Sequence, residues 1–484
     1  MVRWFFLIVS LAVAAASSLT DQHLANVRAF YNQATTEPNW ASRAYHRLLA
    51  HYYNLLIPPD ASVLEVGCGS GGLIGQIKAR HRVGVDLSDR QIEAARANVP
   101  GVQFEVQAGE TLALDETFDY IIVSDTLNFA ADVQQFFERL HQVAGPDTRL
   151  VFNYHSAVWR PIFALARGLG LKSKEPPSSW LATSDVRNLL TLGNWEPVSG
   201  NSRILIPFPL LGLDIVANRW LAPLLGWFCL TVFCVARPKP PAEARELSVS
   251  VIIPARNEAG NIPAAIARTP QMGKWTELIF VEGHSRDNTW EEIQRVAAEN
   301  PNLRIKIMQQ TGKGKGDAVR MGYAAATGEV LMILDADLTM PPEELPKFYD
   351  VLSKGHADFA NGSRLVYPMD QHAMQFLNLC ANKAFGITFT WLLGQPVKDT
   401  LCGTKVLTRA YYDRISANRA YFGDFDPFGD FDLLFGAAKQ NMKIADVPIR
   451  YRERSYGSTN IHRWSHGWLL LRMVAFAARK LKFV

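Results

Sequence analysis

Two groups of residues in this chain have the types and spacing needed for chemistry. A glycine-rich turn at residues 67–71 directly follows an apolar segment that contains Glu65. Farther along, the carboxylates Asp335 and Asp337 follow the apolar residues 330–334. A glycine turn lets the backbone approach a nucleotide-like ligand closely, and two carboxylates one residue apart can hold a divalent cation that also binds a diphosphate. One polypeptide is therefore predicted to bind two different substrates.

The length and composition indicate a folded protein of several domains. Its 484 residues are 48% hydrophobic and 20% charged, as is ordinary for globular proteins. The formal net charge of +4 is too small over this length to indicate a nucleic-acid partner. The 5 cysteines include no Cys-x-x-Cys pair, so neither a disulfide framework nor a zinc site is predicted. A reducing cytoplasm is the expected location.

The elements that must position these residues follow a repeated pattern. Short apolar strands alternate with helical stretches over residues 63–152, and a second alternation begins at residue 248. This pattern predicts two doubly wound α/β domains. Apolar stretches at residues 204–213 and 221–236 are separated by charged residues, so we expect closing strands and a cap rather than membrane spans.

A proline-rich, charged stretch at residues 237–246 predicts the domain boundary. The N-terminal apolar run at residues 4–16 resembles a secretory signal, but it is too short to span a bilayer and we expect a buried or interfacial helix. The predicted organisation is an apolar segment with a lead-in helix (1–39), a first domain (40–236), a linker (237–246), a second domain (247–465) and a basic amphipathic helix (466–484).

The first site continues at Asp86, which ends the strand after the glycine turn, where a carboxylate can bind ribose hydroxyls. Together with Glu65, Gly67 and Gly69, it gives residues 40–236 a pattern that resembles the class I S-adenosylmethionine-dependent methyltransferases, a Rossmann-like family. The resemblance implies that Glu65 orders the methionine end of the cofactor, that the glycines give backbone clearance, and that Asp86 binds the ribose.

The sequence departs from that family at Ala108, where many relatives have an aspartate that contacts adenine; Glu110 is the nearest acid. Past the predicted strand ends lie Asp125, Asn153 and His155. Only His155 is a candidate base for methyl transfer, and the alternative is a histidine that is simply hydrogen-bonded. A non-catalytic scaffold domain is the alternative for the whole first domain, and the methyl acceptor is not specified.

In the second domain, polar residues follow three predicted strands: Pro254, Arg256 and Glu258 follow one, Glu282 the next, and Asp335 and Asp337 a later one. This arrangement resembles the family-two glycosyltransferases of GT-A fold over residues 247–465. The resemblance implies a nucleotide-diphosphate sugar held by loop 254–258, Glu282 and Asp335. It also implies Mg2+ or Mn2+ bound by Asp335 and Asp337, with Asp337 as the main ligand and a catalytic residue.

Three downstream segments narrow this resemblance to dolichyl- or polyprenyl-phosphate sugar transferases. They are Gly362-Ser363-Arg364, residues 399–405 and residues 454–460. The resemblance implies that Arg364 and Arg454 bind phosphates, a task that suits guanidinium groups, and that the acceptor is a polyprenyl phosphate or a related lipid. Lys313 and Lys315, in the glycine-rich loop 312–316, either bind phosphates or face water.

Asp430 is the candidate base for an alternative reaction, in which the sugar is transferred to a glycan hydroxyl. An inverting transferase with a hydroxyl acceptor needs a carboxylate base, and Asp430 in the acidic, aromatic segment 424–432 is the candidate. A phosphate acceptor is already ionised and needs no base. The remaining interpretation of these acids is a solvated loop.

Two apolar and aromatic stretches, residues 373–393 and 462–484, predict membrane contact. The alternative is that each stretch forms a helix of the protein core. The combined prediction is a bifunctional transferase at the cytoplasmic face of a membrane. It would transfer a sugar to a lipid acceptor and a methyl group to an unknown acceptor.

Overall fold

The computed structural model describes residues 20–36, 39–169, 180–241, 243–367, 376–421, 429–454, 456 and 463–484, without the side chains of residues 376–380, 420, 430 and 463–467. The chain forms two compact units, Met1–Lys239 and Pro240–Val484, and the boundary between them in the sequence falls within the predicted linker. The apolar run at residues 4–16 lies outside the described residues.

Seven strands form the sheet of the first unit: β1 (Ser62–Val66), β2 (His81–Asp86), β3 (Gln103–Val106), β4 (Phe118–Ser124), β5 (Ala144–His155), β6 (Trp195–Arg203) and β7 (Thr231–Pro238). Their order is β3-β2-β1-β4-β5-β7-β6. Strands β1 to β5 are parallel, and β7 runs antiparallel to both β5 and β6. The predicted α/β fold of the first domain is confirmed. In such a sheet, ligands bind beyond the carboxyl ends of the strands.

The helices of this unit are α1 (residues 20–33), α2 (Trp40–Leu56), α3 (Asp89–Asn98), α4 (Val133–Arg139), α5 (Arg160–Gly168), α6 (Thr183–Leu192) and α7 (Leu213–Val216). Consecutive residues of the central strands, such as Leu64 in β1 and Ile121 and Ile122 in β4, are buried. Strands buried on both faces need apolar side chains in succession, which explains the unbroken apolar runs in the sequence.

The expected closing strands are only partly right. Strand β7 falls in the second apolar stretch, but β6 ends at Arg203 and no strand forms over residues 204–213. Pro207 and Pro209 lie in that stretch and cannot donate hydrogen bonds to a strand ladder. Residues 205–228 instead form an irregular connection with short helical turns.

Seven strands also form the sheet of the second unit: β8 (Val249–Ala255), β9 (Thr276–Glu282), β10 (Arg304–Gln309), β11 (Val330–Ile333), β12 (Phe359–Ser363), β13 (Lys405–Thr408) and β14 (Ile444–Pro448). Their order is β10-β9-β8-β11-β13-β12-β14. Strands β8 to β11 are parallel, β13 runs antiparallel to β11 and β12, and β14 is parallel to β12. The predicted α/β fold of the second domain is also confirmed, and its sheet is mixed.

The helices of the second unit are α8 (Ile262–Arg268), α9 (Thr289–Glu299), α10 (Lys315–Ala325), α11 (Leu345–Ser353), α12 (Phe376–Leu393), α13 (Arg409–Ala417), α14 (Asp430–Lys439) and α15 (Arg463–Leu481). Phe389 of α12 and Met473 and Ala477 of α15 belong to the hydrophobic core. These faces of the two expected membrane helices are therefore internal, while Ile387 and Trp468 are exposed. Within the described part of the chain, no helix combines the length and hydropathy required to cross a bilayer.

Candidate active sites

The glycine turn after β1 is a tight backbone loop. Gly67 and Gly69 have φ angles of 81° and 52°, in the left-handed region that favours glycine. A Cβ on Gly67 would lie 2.3 Å from Oγ1 of Thr126, so no side chain fits there. The Asp86 carboxylate accepts hydrogen bonds from the backbone N–H groups of Gly69 and Ser88, both at 2.9 Å. Asp86, the residue predicted to bind the ribose, therefore also holds the turn in place. Burial raises the pKa of Asp86.

Glu65 is buried with one carboxylate oxygen unpartnered. It is 2% exposed, and its Oε2 accepts no hydrogen bond from any described residue. Burial raises the pKa of Glu65 to about 8, against the opposing effect of a hydrogen bond from the backbone N–H of Ile74. An unpaired buried carboxylate oxygen is costly until a donor reaches it. The ammonium group of S-adenosylmethionine is such a donor, so Glu65 fits the role that the resemblance implies.

Glu110, the acid nearest to Ala108, has a structural partner. Its Oε1 accepts a hydrogen bond of 2.8 Å from the backbone N–H of Ala131. Burial raises the pKa of Glu110, while backbone N–H groups that include those of Ala131 and Asp132 lower it. The carboxylate therefore anchors the loop before α4, and the departure from the family at the adenine position stands.

Helix α1 contacts the loops beside the first candidate site, which the sequence patterns did not predict. Arg28 donates to the backbone carbonyl of Leu87 at 2.7 Å, and Ser88 Oγ lies 2.5 Å from Oδ1 of Asn32. His23 Nε2 lies 3.0 Å from the carbonyl oxygen of Phe129. The helix thus contacts residues that follow both β2 and β4. Only its position before the first strand signalled a lead-in helix.

A polar cluster joins the carboxyl ends of β4 and β5. Asp125 Oδ1 accepts a 2.6 Å hydrogen bond from Asn153 Nδ2 and lies 3.5 Å from His155 Nε2. The Tyr45 hydroxyl donates to Asp125 Oδ2 at 3.0 Å and lies 3.1 Å from Thr231 Oγ1. Burial and the charge of Asp125 raise the pKa of Tyr45. The structure thus brings together the three predicted residues.

Tyr45 and Thr231 were missed by the sequence reasoning. Tyr45 lies on α2 and Thr231 begins β7, 186 positions apart in the chain. No short motif joins residues so far apart, and neither residue type is rare. Only the antiparallel return of β7 beside β5 brings Thr231 next to His155, its partner in the strand register.

In the second unit, Arg454 bridges two of the predicted site carboxylates. Its guanidinium donates to Glu258 Oε1 at 2.8 Å and to Asp337 Oδ2 at 2.6 Å. Thr339 donates to the other oxygen of Asp337 through its hydroxyl (2.9 Å) and its backbone N–H (3.1 Å). Burial raises the pKa of Glu258, and Arg454 opposes that shift. A predicted phosphate ligand and a predicted metal ligand therefore lie in direct contact.

Asp335 has a cationic partner of its own. Lys315 Nζ, at the start of α10, lies 2.6 Å from Asp335 Oδ1. A Cβ on Gly403 would lie 2.0 Å from Asp335 Oδ2 and 2.3 Å from Lys315 Nζ, so any larger residue there would displace this ion pair. Lys315 therefore lies at the site rather than simply facing water. Gly403 was missed as a site residue.

These contacts bear on whether a divalent cation fits. Asp335 and Asp337 each pair with a cationic side chain, Lys315 and Arg454 respectively, so both carboxylates are placed where they attract positive charge. Mg2+ prefers such oxygen ligands and is commonly bound by one or two carboxylates together with substrate phosphates. Asp335 and Asp337 fit that arrangement. Among the described residues there is no group of three or more His, Cys, Asp or Glu side chains that could hold a metal ion.

The remaining residues of the predicted donor site lie on neighbouring loops. Glu282, at the end of β9, accepts hydrogen bonds from the backbone N–H of Ser285 at 2.5 Å and from Gln309 at 3.3 Å. Asn257, between Arg256 and Glu258, donates its backbone N–H to Ser285 Oγ at 3.0 Å. The loop after β8, which begins at Pro254, is thus tied to the loop after β9, while the side chain of Arg256 is exposed.

Arg364 lies in a buried ion pair. Its guanidinium donates to both carboxylate oxygens of Asp399, at 2.7 and 2.9 Å. Burial would raise the pKa of Asp399, but Arg364 outweighs that effect and lowers it. The predicted phosphate-binding role of Arg364 must compete with this pair. Asp430 begins α14, but its side chain lies outside the described residues.

Comparison with known proteins finds a similarity for each unit. Residues 64–152 match a family model described as "Methyltransferase domain", and residues 250–415 match "Glycosyl transferase family 2". A solved S-adenosylmethionine-dependent methyltransferase from Thermotoga maritima is 18% identical, with a TM-score of 0.31, over 40% of this chain and 91% of that one.

Two curated relatives match the second unit. A dolichol-phosphate mannosyltransferase from Pyrococcus furiosus is 37% identical over 224 residues, which are 44% of this chain and 59% of that protein. A polyprenol monophosphomannose synthase from Mycolicibacterium smegmatis is 29% identical over 43% of this chain and 78% of that protein. The first unit of this chain thus contains a segment that matches the methyltransferase domain model, and the second unit contains a segment that matches the glycosyl transferase family 2 model.

Proposed function

We propose that the second unit transfers a sugar from a nucleotide-diphosphate sugar to a polyprenyl phosphate. The bridge from Arg454 to Glu258 and Asp337 is the observation that carries this proposal, because it joins a guanidinium suited to phosphate and a carboxylate suited to a cation in one site. The names of the two curated relatives support a polyprenol-type acceptor.

In this reaction the chain's own residues bind and orient the charged groups. Loop 254–258 and Glu282 hold the nucleotide, and Asp335 and Asp337 would hold Mg2+ or Mn2+. That cation, when bound, neutralises the diphosphate leaving group. Donor binding breaks the Arg454 bridge, and the guanidinium turns from the carboxylates to a phosphate. Lys315 stays beside Asp335 as a second cation near the donor.

The bond changes amount to one displacement. An oxygen of the acceptor phosphate attacks the anomeric carbon, the bond from that carbon to the nucleotide diphosphate breaks, and the diphosphate departs with the electron pair. Inversion at the anomeric carbon follows from attack opposite the leaving group. The acceptor phosphate is ionised, so no base is required. Transfer to a glycan hydroxyl, with Asp430 as base, is the alternative.

A partition assay tests this proposal. The purified chain is incubated with Mg2+ or Mn2+, labelled nucleotide sugars and a bacterial lipid extract, and the product is partitioned into organic solvent. We expect label in the organic phase, and Asp337→Asn should abolish it. Asp350→Asn is the matched control, because Asp350 is an exposed acid on α11 that pairs with Lys354. Label confined to the aqueous phase would favour the hydroxyl acceptor.

For the first unit, the supported reaction is methyl transfer from S-adenosylmethionine. Glu65 binds the ammonium group, Asp86 the ribose and the glycine turn the backbone of the cofactor. If the acceptor is a hydroxyl, His155 accepts its proton while Asp125 orients the imidazole. Calorimetric titration with S-adenosylmethionine tests the cofactor site, with Glu65→Gln as the site variant and Glu93→Gln, an exposed acid on α3, as control. No binding by the folded wild type would favour a scaffold domain.

The two donors, the nucleotide sugar and S-adenosylmethionine, are made in the cytoplasm. This supports a location at the cytoplasmic face of a membrane. The expected partner there is lipid, and no nucleic acid is expected. Cell fractionation tests this placement. Recovery with the membrane fraction, with release by salt or carbonate, is expected of a peripheral protein, and recovery only in the cytosol would contradict it.

A further inference from the structure

The connection between β6 and β7 exposes an unusual amount of apolar surface. Large apolar residues from Phe208 to Phe228 are each at least 40% exposed, and Trp227 and Leu211 reach 89% and 102%. Helix α5 adds Leu165, which is 65% exposed. Single exposed apolar residues are ordinary, but a concentration of this kind marks a binding surface. We call residues 205–228 together with α5 the apolar surface.

The two parts of this surface are joined by hydrogen bonds. Trp159, just before α5, donates its indole N–H to the carbonyl of Phe228 at 2.9 Å. The backbone N–H of Ser156 donates to the carbonyl of Leu230 at 2.7 Å. Helix α5 and the end of the connection therefore form one continuous region.

The connection is ordered by its own polar groups. Asn218 is 3% exposed, and its side chain accepts from the backbone N–H groups of Leu205 and Ile206 and donates to the carbonyl of Ile206, all at 2.8 to 2.9 Å. Asp214 accepts from the backbone N–H of Leu210 at 2.8 Å. Internal satisfaction of the backbone is what a segment needs if it is to face hydrocarbon rather than water.

The charges around the surface complement an anionic bilayer. Residues 156–169 and 205–228 contain Arg160, Arg167 and Arg219 against one acid, Asp214, whose carboxylate is used within the connection. The Arg219 guanidinium lies 5.6 Å from the ring centre of Trp220. Arginine and tryptophan side chains are the pair that settles at the boundary between headgroups and acyl chains.

We infer that the apolar surface lies in the interface of an anionic lipid bilayer, and that the methyl acceptor is a hydroxyl-bearing lipid or lipid-linked molecule. The second part rests on the proposed methyl transfer. The surface runs directly to the polar cluster, because Thr231 follows the connection and the His155 ring lies 5.5 Å from the Phe163 ring of α5. An amphipathic acceptor can place its polar group at His155 while its chain stays in the bilayer.

Vesicle co-sedimentation with the full chain tests the membrane contact. The vesicles contain phosphatidylcholine with or without phosphatidylglycerol. Leu211→Ser with Trp227→Ser should reduce binding to the anionic vesicles by at least about tenfold, because two exposed apolar side chains no longer enter the bilayer. Both residues are exposed, so the fold should persist. Leu192→Ser, an exposed leucine of α6 outside the surface, is the control and should bind as the wild type does.

Two results would overturn the inference. One is equal vesicle binding by the double variant and the wild type; a loss seen instead with Ile387→Ser and Trp468→Ser would assign membrane contact to α12 and α15. The other is a wild type that sediments as a dimer and a double variant that sediments as a monomer, with no difference in vesicle binding. That result would make the surface a protein interface.

The acceptor is tested separately with S-adenosylmethionine labelled in its methyl group and a lipid extract. Label in the organic phase, reduced in the double variant while cofactor binding by calorimetry is unchanged, supports the lipid acceptor. Label only in water-soluble products contradicts it. If the wild type binds no cofactor, the methyltransferase proposal fails, but the vesicle result remains valid on its own.

Discussion

Replacement of Glu65 by glutamine should stabilise the first unit while weakening its cofactor site. The pKa of Glu65 rises from its ordinary value of 4.5 to about 8, because the group is buried. The folded state therefore holds this proton more tightly than the unfolded chain does, and stability falls as pH rises through the interval between those values. At pH 7 the loss is about 3 kcal/mol. Glu65→Gln keeps the shape and removes the charge, so that loss disappears.

Urea titrations at pH 5 and pH 7 measure this effect. The transition of the first unit is the one that S-adenosylmethionine shifts in the wild type. We expect Glu65→Gln to raise the free energy of unfolding by about 3 kcal/mol at pH 7 and by less than about 1 kcal/mol at pH 5. Cofactor affinity should fall about tenfold or more, because the ammonium group loses its carboxylate.

Glu93→Gln, which changes an exposed acid on α3, should alter neither the free energy of unfolding nor the cofactor affinity. The reasoning would be refuted if Glu65→Gln destabilised the unit equally at both pH values. That outcome would mean that the carboxylate is ionised in the folded protein and that the fold depends on it.

Three further changes probe the second unit. Arg454→Ala should reduce sugar transfer at least about 100-fold, because a phosphate ligand near the leaving group is lost; initial rates at saturating donor measure this, and a rate within a few fold of the wild type would exclude Arg454 from the site. Asp399→Asn should destabilise the second unit by about 3–5 kcal/mol in urea, since it leaves the buried Arg364 without its charge partner, whereas Asp350→Asn should change stability by less than about 1 kcal/mol. Gly403→Ala should displace Asp335, whose Oδ2 lies 2.0 Å from the added Cβ position, so transfer should fall while calorimetric binding of S-adenosylmethionine to the first unit stays the same.

Sequence alone predicted both α/β units because their central strands are largely apolar. Strand β8 and strand β11 are buried along nearly all their length, and polar residues follow immediately. Glu65, Asp86, Asp335 and Asp337 could be located in this way, since each lies at or beside the carboxyl end of a parallel strand.

The rest of the two candidate sites could not be predicted from the sequence, because it depends on contacts between distant segments. The contact between Asp337 and Arg454 could not be inferred from spacing alone, because 117 positions separate the two residues. The same limit hid Tyr45 in the polar cluster. Residues 204–213 were misjudged for another reason. Their hydropathy resembles that of a strand, and only Pro207 and Pro209 indicate that no ladder can form.

The most direct test of the account compares polyprenyl phosphate with the same polyprenol lacking its phosphate, each incubated with the purified chain, divalent metal and the active nucleotide sugar. We predict a sugar-phosphate-polyprenol product, identified by mass spectrometry, from the phosphorylated lipid alone. Asp337→Asn should abolish this product, and Asp430→Asn should leave most of it. Equal transfer to the unphosphorylated alcohol, with complete loss in Asp430→Asn, would contradict the phosphate acceptor and establish the hydroxyl reaction instead.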